Sequence, residues 1–111
     1  MNYETLNYRV GDIGEVYENV DYHILFTFLE DPEIFDNLHQ IKSIKPSCGC
    51  TSAYKSDKGI SVLYNTGSIQ SHLRKIMDKQ KFKKKIKIEL TDGREFDLQF
   101  HGTRIKKKRN G

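Results

Sequence analysis

Cys48 and Cys50, two positions apart, are the side chains of this sequence best suited to chemistry. They sit in Lys45-Pro46-Ser47-Cys48-Gly49-Cys50-Thr51, where a proline and a glycine constrain the loop and hold both sulfurs close. Three readings compete. As free thiols they fill space near the end of a β-sandwich, as buried cysteine commonly does. As a disulfide they close a very tight ring, of a kind more redox-labile than structural. As two soft metal ligands they need partners among His23, His39, His72 and His101. Zinc signatures space their ligand pairs as Cys-x₂₋₄-Cys, which Cys-x-Cys with scattered histidines matches poorly. A nucleophilic cysteine needs a histidine and an orienting carboxylate nearby in space, which sequence alone neither shows nor excludes. The default is a structural pair, with no metal and no cofactor expected.

The histidines do not strengthen a catalytic reading. His23 and His101 fall on the polar sides of their strands, where a surface or hydrogen-bonded role is expected. No Gly-rich phosphate loop, Ser-centred nucleophile elbow, His-Glu-x-x-His or paired-carboxylate pattern occurs. The expectation is that the protein is not an enzyme.

Charge supplies a second candidate surface. The net charge of +4 conceals a split. Residues 1–73 hold five basic and ten acidic residues, a net of −5, and residues 74–111 hold fourteen basic and five acidic, a net of +9. Such a dipole favours oriented contact with an acidic partner, or head-to-tail contact with copies of itself. The plainer alternative is that these lysines are outward strand residues, kept charged against edge pairing. The partner-binding candidates are Arg74, Lys75, Lys83, Lys84 and Lys85, within a basic stretch that also holds Lys79, Lys81 and Lys87. The tail adds Arg104, Lys106, Lys107, Lys108 and Arg109. Nucleic acid bound by such residues is held nonspecifically and with steep salt dependence. Only Phe82 interleaves the basic run, whereas single-strand binders stack bases on several aromatics. Protein partners are therefore expected first and nucleic acid second.

These side chains must be positioned by strands. Tyr22, Ile24, Phe26 and Phe28 alternate, as do Ile86, Ile88 and Leu90, and Phe96, Leu98 and Phe100. Between the last two runs, Thr91-Asp92-Gly93-Arg94 carries the Asp-Gly pair of a type I′ turn, so residues 82–103 read as a β-hairpin. Weaker strands are read at Leu6–Val10, Ile41–Lys45, Cys50–Tyr54 and Ile60–Tyr64, with loops at Gly11–Gly14, Glu30–Glu33, Ser56–Gly59 and Asn65–Gly67. About seven short strands with regular turn signals suit a sandwich. From Ser68 to Lys79, Ile69, Leu73, Ile76 and Met77 take helical spacing behind Ser68 as N-cap, which predicts a short amphipathic helix. At 111 residues, with 36% hydrophobic and 31% charged, the chain is sized for one domain over residues 1–103 with a basic tail at 104–111. No run approaches the roughly 18 apolar residues of a membrane span. Residues 1–20 are too charged for a signal peptide, so a cytoplasmic setting is expected.

In order along the chain come Val10-Gly11-Asp12-Ile13-Gly14-Glu15-Val16, Phe26-Thr27-Phe28, Ser47-Cys48-Gly49-Cys50-Thr51, Val62-Leu63-Tyr64-Asn65-Thr66-Gly67, the Lys83–Leu90 strand and Leu98-Gln99-Phe100-His101-Gly102. Together these resemble a large bacterial family of unknown function with an immunoglobulin-like fold and a Ser-Cys-Gly-Cys-Thr signature. That family is related in fold to the sperm-protein-like domains of ciliary and centrosomal proteins such as hydin. The resemblance spans roughly residues 6–103, and the five-residue signature is its specific part. Three departures stand out: the signal or lipoprotein sequence of typical members is missing, Asp57-Lys58-Gly59 replaces a Pro-Gly turn, and Ser68–Lys79 looks inserted. The resemblance implies an all-β, immunoglobulin-like sandwich of about seven strands with one short helical insertion. Signal-less stand-alone domains of this kind are familiar as accessory structural proteins of tailed phages, on capsid, neck or tail. The expected function is thus a non-enzymatic interaction module in a virion or host cytoplasm; a cytoplasmic adaptor or nonspecific nucleic-acid-binding domain is the alternative.

Overall fold

The computed structural model describes residues 2–70 and 76–106. Among them the period-two alternation becomes eight strands: β1 Asn2–Leu6, β2 Val10–Tyr17, β3 Asp21–Phe26, β4 Ile41–Pro46, β5 Thr51–Ser56, β6 Gly59–Asn65, β7 Lys79–Leu90 and β8 Glu95–Ile105. A short helix, α1 (Pro32–Phe35), and a 3-10 turn at Leu38–Gln40 lead from β3 to β4. The first sheet has strand order β1-β3-β6-β5 and the second β2-β8-β7-β4. β1 runs parallel to β3 and β2 parallel to β8, while the remaining neighbours are antiparallel.

The two sheets pack as a sandwich because each strand turns its apolar phase inward. Ile24, Phe26, Ile60, Val62 and Tyr64 of the first sheet meet Ile13, Val16, Phe82, Ile86, Ile88, Leu98 and Phe100 of the second. Each such burial stabilises by about 1.5–3 kcal/mol, so this double layer is the main reason that the chain folds. Tyr64 anchors the middle, its ring 5.4 Å from Phe82 and 5.1 Å edge-on to Phe100.

The β7–β8 hairpin forms as expected, but with a different turn. Gly93 alone takes positive φ (91°); Asp92 does not. Leu90 N–H donates to Arg94 O at 2.8 Å and Gly93 N–H to Leu90 O at 3.0 Å, which closes a three-residue loop with its last residue left-handed. Asp92 Oδ1 accepts from Arg94 N–H at 3.0 Å and Oδ2 from Arg94 Nε at 2.9 Å. The side chain thus secures a turn that its backbone does not shape.

Four other expectations change. The strand read at Leu6–Val10 is a bend at residues 7–9 between β1 and β2, where the chain leaves one sheet for the other. The loop read at Gly11–Gly14 lies inside β2 as a bulge, with the register slipping between Asp12 and Glu15. Gly14 sits there at φ +77°, and its N–H donates to Asp12 Oδ1 at 2.7 Å. β3 stops at Phe26; Phe28 is buried through a kink at φ +59° instead of by alternation. Finally, the helix read over Ser68–Lys79 is not formed at its described ends. Ser68 Oγ donates to Asn19 Oδ1, buried Ile69 gives its N–H to the Glu18 carboxylate at 3.2 Å, and Lys79 opens β7. Residues 71–75 lie outside the described residues. The apolar spacing that suggested a helix does not make one buried face: Ile69 is buried, whereas Ile76 is exposed.

β4 pairs with β7 only from Ile86 to Leu90. It ends at Pro46, which has no N–H to continue the ladder. Among the described residues, Lys79–Lys85 therefore have β8 on one side and no strand on the other.

Candidate functional site

The signature loop is the crossing from the second sheet to the first. Ser47 N–H and Oγ both donate to Lys85 O, at 3.0 and 2.9 Å, at the point where β4 leaves β7. On the other side, Thr51 N–H donates to Cys48 O at 3.2 Å and Asn65 N–H to Cys50 O at 3.4 Å. The loop is thus tied to both layers. Cys48 and Cys50 are joined by a disulfide, with Cα atoms 5.3 Å apart. The reading of buried free thiols is corrected: Cys50 is exposed and Cys48 half-buried, because the crossing lies outside the apolar core. Cys50 N–H donates to Cys48 Sγ at 3.2 Å, and Lys84 Nζ stands 3.7 Å from the same sulfur. Cys50 Sγ lies 3.6 Å from Thr51 Oγ1.

Lys84 reaches that sulfur because it occupies the inward phase of β7, together with Phe82, Ile86 and Ile88. Its side chain is half-buried there and ends at the crossing loop. Lys84 therefore parts from Lys83 and Lys85, with which it forms a single basic run in the sequence.

The outward phase of β7 forms a lysine stripe of Lys79, Lys81, Lys83, Lys85 and Lys87, all exposed. Lys45 on β4 stands directly opposite Lys87. Rows across the sheet run Lys83–His101–Asp12 and Lys81–Thr103–Glu15, from basic β7 across β8 to acidic β2. Lys79 pairs with Glu15 at 2.6 Å and Lys87 with Glu95 at 3.6 Å. Lys45, Lys81, Lys83 and Lys85 have no ion pair among the described residues. A shallow depression of about 480 Å³ lies on this face, between Lys81, Lys83, Asp12, Gln99, His101 and Thr103. The β2 bulge forms one wall. It brings Gly14 O so close over β8 that a Cβ on Gly102 would lie 2.7 Å from it.

The tail candidates separate in the same way. β8 continues through Arg104 and Ile105, and Arg104 turns inward. It donates to Gln80 Oε1 at 2.7 Å and Tyr64 OH at 3.3 Å, with its guanidinium 5.2 Å from the Phe82 ring centre. It is thus a sandwich residue. Lys106 is exposed and its N–H donates to Asp78 O. Arg74, Lys75, Lys107, Lys108 and Arg109 lie outside the described residues, as does His72.

The remaining histidines stand apart from the cysteines. His23 packs against Tyr3 on the outer face of the first sheet, with its Nε2 buried and without a hydrogen bond. His39 is exposed on the 3-10 turn, and His101 Nε2 lies 3.8 Å from Asp12 Oδ2. Among the described residues no three His, Cys, Asp or Glu side chains converge to hold a metal ion. No helix is long and apolar enough to cross a membrane among the described residues.

Sequence reasoning missed two features of these faces. Lys45 joins the lysine stripe only through the β4–β7 register, a nonlocal pairing. The outer face of the first sheet, by contrast, carries Tyr3, Thr5, His23, Leu25, Ser52, Tyr54, Ser61 and Leu63, with the Asp21–Asn65 pair at its end. One sheet face is dense with lysine, while the other carries the single carboxylate of Asp21 among its described strand positions. Comparison of the chain with protein-family models, with curated proteins and with solved structures found no match.

Proposed function

We propose that this chain is a non-catalytic binding module of immunoglobulin-like topology that docks an acidic protein surface on its lysine face. Strand order supports the topology. With β1, β3, β6 and β5 taken as strands A, B, E and D, and β4, β7 and β8 as C, F and G, the sheets match the ABED and CFG pattern. β2 is then an added strand beside G, and β1 departs from the pattern by running parallel to β3.

One observation carries the binding reading: Lys45, Lys81, Lys83 and Lys85 stand exposed on one face without acidic partners among the described residues. Such a stripe attracts anionic surfaces over distances beyond contact. Asp12 and Glu15 on β2 border it, so an acidic partner is steered along β7 and away from β2. Phe82, the aromatic within the basic run, is buried in the sandwich and offers no stacking surface for bases, which places nucleic acid second. The resemblance of the Ser47–Thr51 signature supports an accessory structural role in a tailed-phage particle, in contact with other proteins or with copies of this chain.

Binding of poly-glutamate and of duplex DNA at about 50 mM salt tests the lysine face. Poly-glutamate is expected to bind, to release as salt rises, and to bind poorly to a Lys81→Ser/Lys83→Ser/Lys85→Ser variant. Tighter binding of DNA than of poly-glutamate favours the nucleic-acid reading, and binding of neither rejects docking by charge. Mass spectrometry of purified particles tests the virion setting separately.

A further inference from the structure

We propose that Cys48 and Cys50 form a thiol–disulfide exchange site that oxidises a dithiol, with Lys84 positioned to stabilise the departing Cys48 thiolate. This goes beyond the binding role and uses none of the exposed lysines that carry it.

The disulfide is not explained by stability. It joins residues two apart, and the entropy that a crosslink removes from the unfolded chain is least for the shortest loops. The loop is already fixed by Ser47 on Lys85 and by Asn65 on Cys50. Access is uneven: Cys50 is exposed and Cys48 half-buried, so an incoming thiolate meets Cys50 Sγ first. Polarity is uneven in the matching sense. The Lys84 ammonium at 3.7 Å and the Cys50 N–H at 3.2 Å converge on Cys48 Sγ, the sulfur that must leave. A thiolate beside a cation and a peptide N–H is stabilised, and a better leaving thiolate speeds exchange. Stabilising the reduced form also makes the pair more oxidising. Lys84 supplies this from an inward strand position otherwise given to Phe82, Ile86 and Ile88.

In the reaction, one thiolate of the dithiol attacks Cys50 Sγ and forms a new S–S bond. The Cys48–Cys50 bond breaks, and its electron pair goes to Cys48 Sγ. The second thiol of the dithiol loses its proton to water and attacks the dithiol sulfur bound to Cys50, so that a disulfide forms within the dithiol, the bond to Cys50 Sγ breaks and the Cys50 thiolate leaves. Cys48 and Cys50 each take up a proton. The dithiol has lost two electrons and two protons, and the cysteine pair has gained them.

The test is reduction of the full chain by dithiothreitol under native conditions, quenched by alkylation and read by mass. Reduction without unfolding is expected. Lys84→Met should slow it about three- to tenfold and move alkylation of Cys48 to higher pH, while Lys84→Arg keeps both within about twofold. With glutathione as attacker and N-ethylmaleimide as trap, glutathione should appear on Cys50 and the maleimide on Cys48. A pair that reduces only after denaturation overturns the proposal. So does glutathione on Cys48, or a folded Lys84→Met variant with the wild-type rate and alkylation profile.

Discussion

Arg9 grips Asp31 with both prongs of its guanidinium, Nε to Oδ2 at 2.8 Å and a terminal nitrogen to Oδ1 at 2.7 Å. Arg9 lies in the bend that carries the chain from β1 to β2, and Asp31 in the turn that follows β3. The pair therefore fastens the crossing between sheets to the first sheet. The guanidinium also reaches Glu33 at 2.8 Å and lies over Phe96, 5.1 Å from the ring centre. The hydrogen bonds that Arg9 donates to Asp31, with Glu33 behind them, hold its guanidinium protonated well above the ordinary arginine range.

Arg9→Ala is expected to destabilise the fold by about 3–5 kcal/mol, because Asp31 is only 2% exposed and is left buried without its partner cation. Arg9→Met with Asp31→Leu should recover most of that loss, since removing both charges leaves no orphan. Urea unfolding of Arg9→Ala and of the double variant checks this. Equal losses in the double variant and in Arg9→Ala would show that the pair is not the cause.

Gly102→Ala tests the bulge wall. A Cβ there meets Gly14 O at 2.7 Å, a backbone atom that cannot swing away. The expected cost is about 1–3 kcal/mol, as for other overpacked positions. Gly49→Ala is the control, because a Cβ at Gly49 has nothing within 4 Å and its φ is not positive. Thermal unfolding of both variants should show a loss at Gly102 and near-neutrality at Gly49.

The parts of this fold that are legible in the sequence are the local ones. Ile86–Leu90 and Phe96–Phe100 alternate around a turn sequence, so their hairpin follows from neighbours in the chain. The parallel pairings β1–β3 and β2–β8 are not legible, because nothing near Leu6 or Val10 specifies Phe26 or Gln99 as a partner. The bulge in β2 looks like a loop for a related reason. Gly11 and Gly14 signal a break, and only the fit against Gly102 makes it a kink within a strand. Lys84 shows the converse. Its phase with Phe82 and Ile86 is written in the sequence, but its place in a basic run conceals it. The cysteine loop was legible as a constrained site, whereas its exposure depended on where β4 stops.

Tyr22 gives a pH-dependent prediction. Burial, and then the Glu4 carboxylate, raise its phenol above the ordinary tyrosine value. The folded state therefore holds the phenolic proton more tightly than the unfolded one. Its stabilising contribution is complete below about pH 10 and is lost as pH rises through the raised folded value. The difference in unfolding free energy between the wild type and Tyr22→Phe should be constant from pH 7 to about 9.5 and then fall. A difference that stays flat to pH 11.5, or rises, contradicts this assignment.

Lys45 and Lys87 separate stability from binding. They face each other across β4 and β7, an arrangement of like charges that disfavours the pairing. Lys45→Glu converts it to an attractive pair and is expected to stabilise the fold by about 0.2–1 kcal/mol, less at high salt. The same substitution places a carboxylate on the lysine face and should weaken poly-glutamate binding. Opposite signs in urea unfolding and in binding indicate that the repulsion is kept for the sake of a partner. If stability rises and poly-glutamate binding is unchanged, Lys45 is an ordinary solvated strand charge, and the docking stripe is confined to β7.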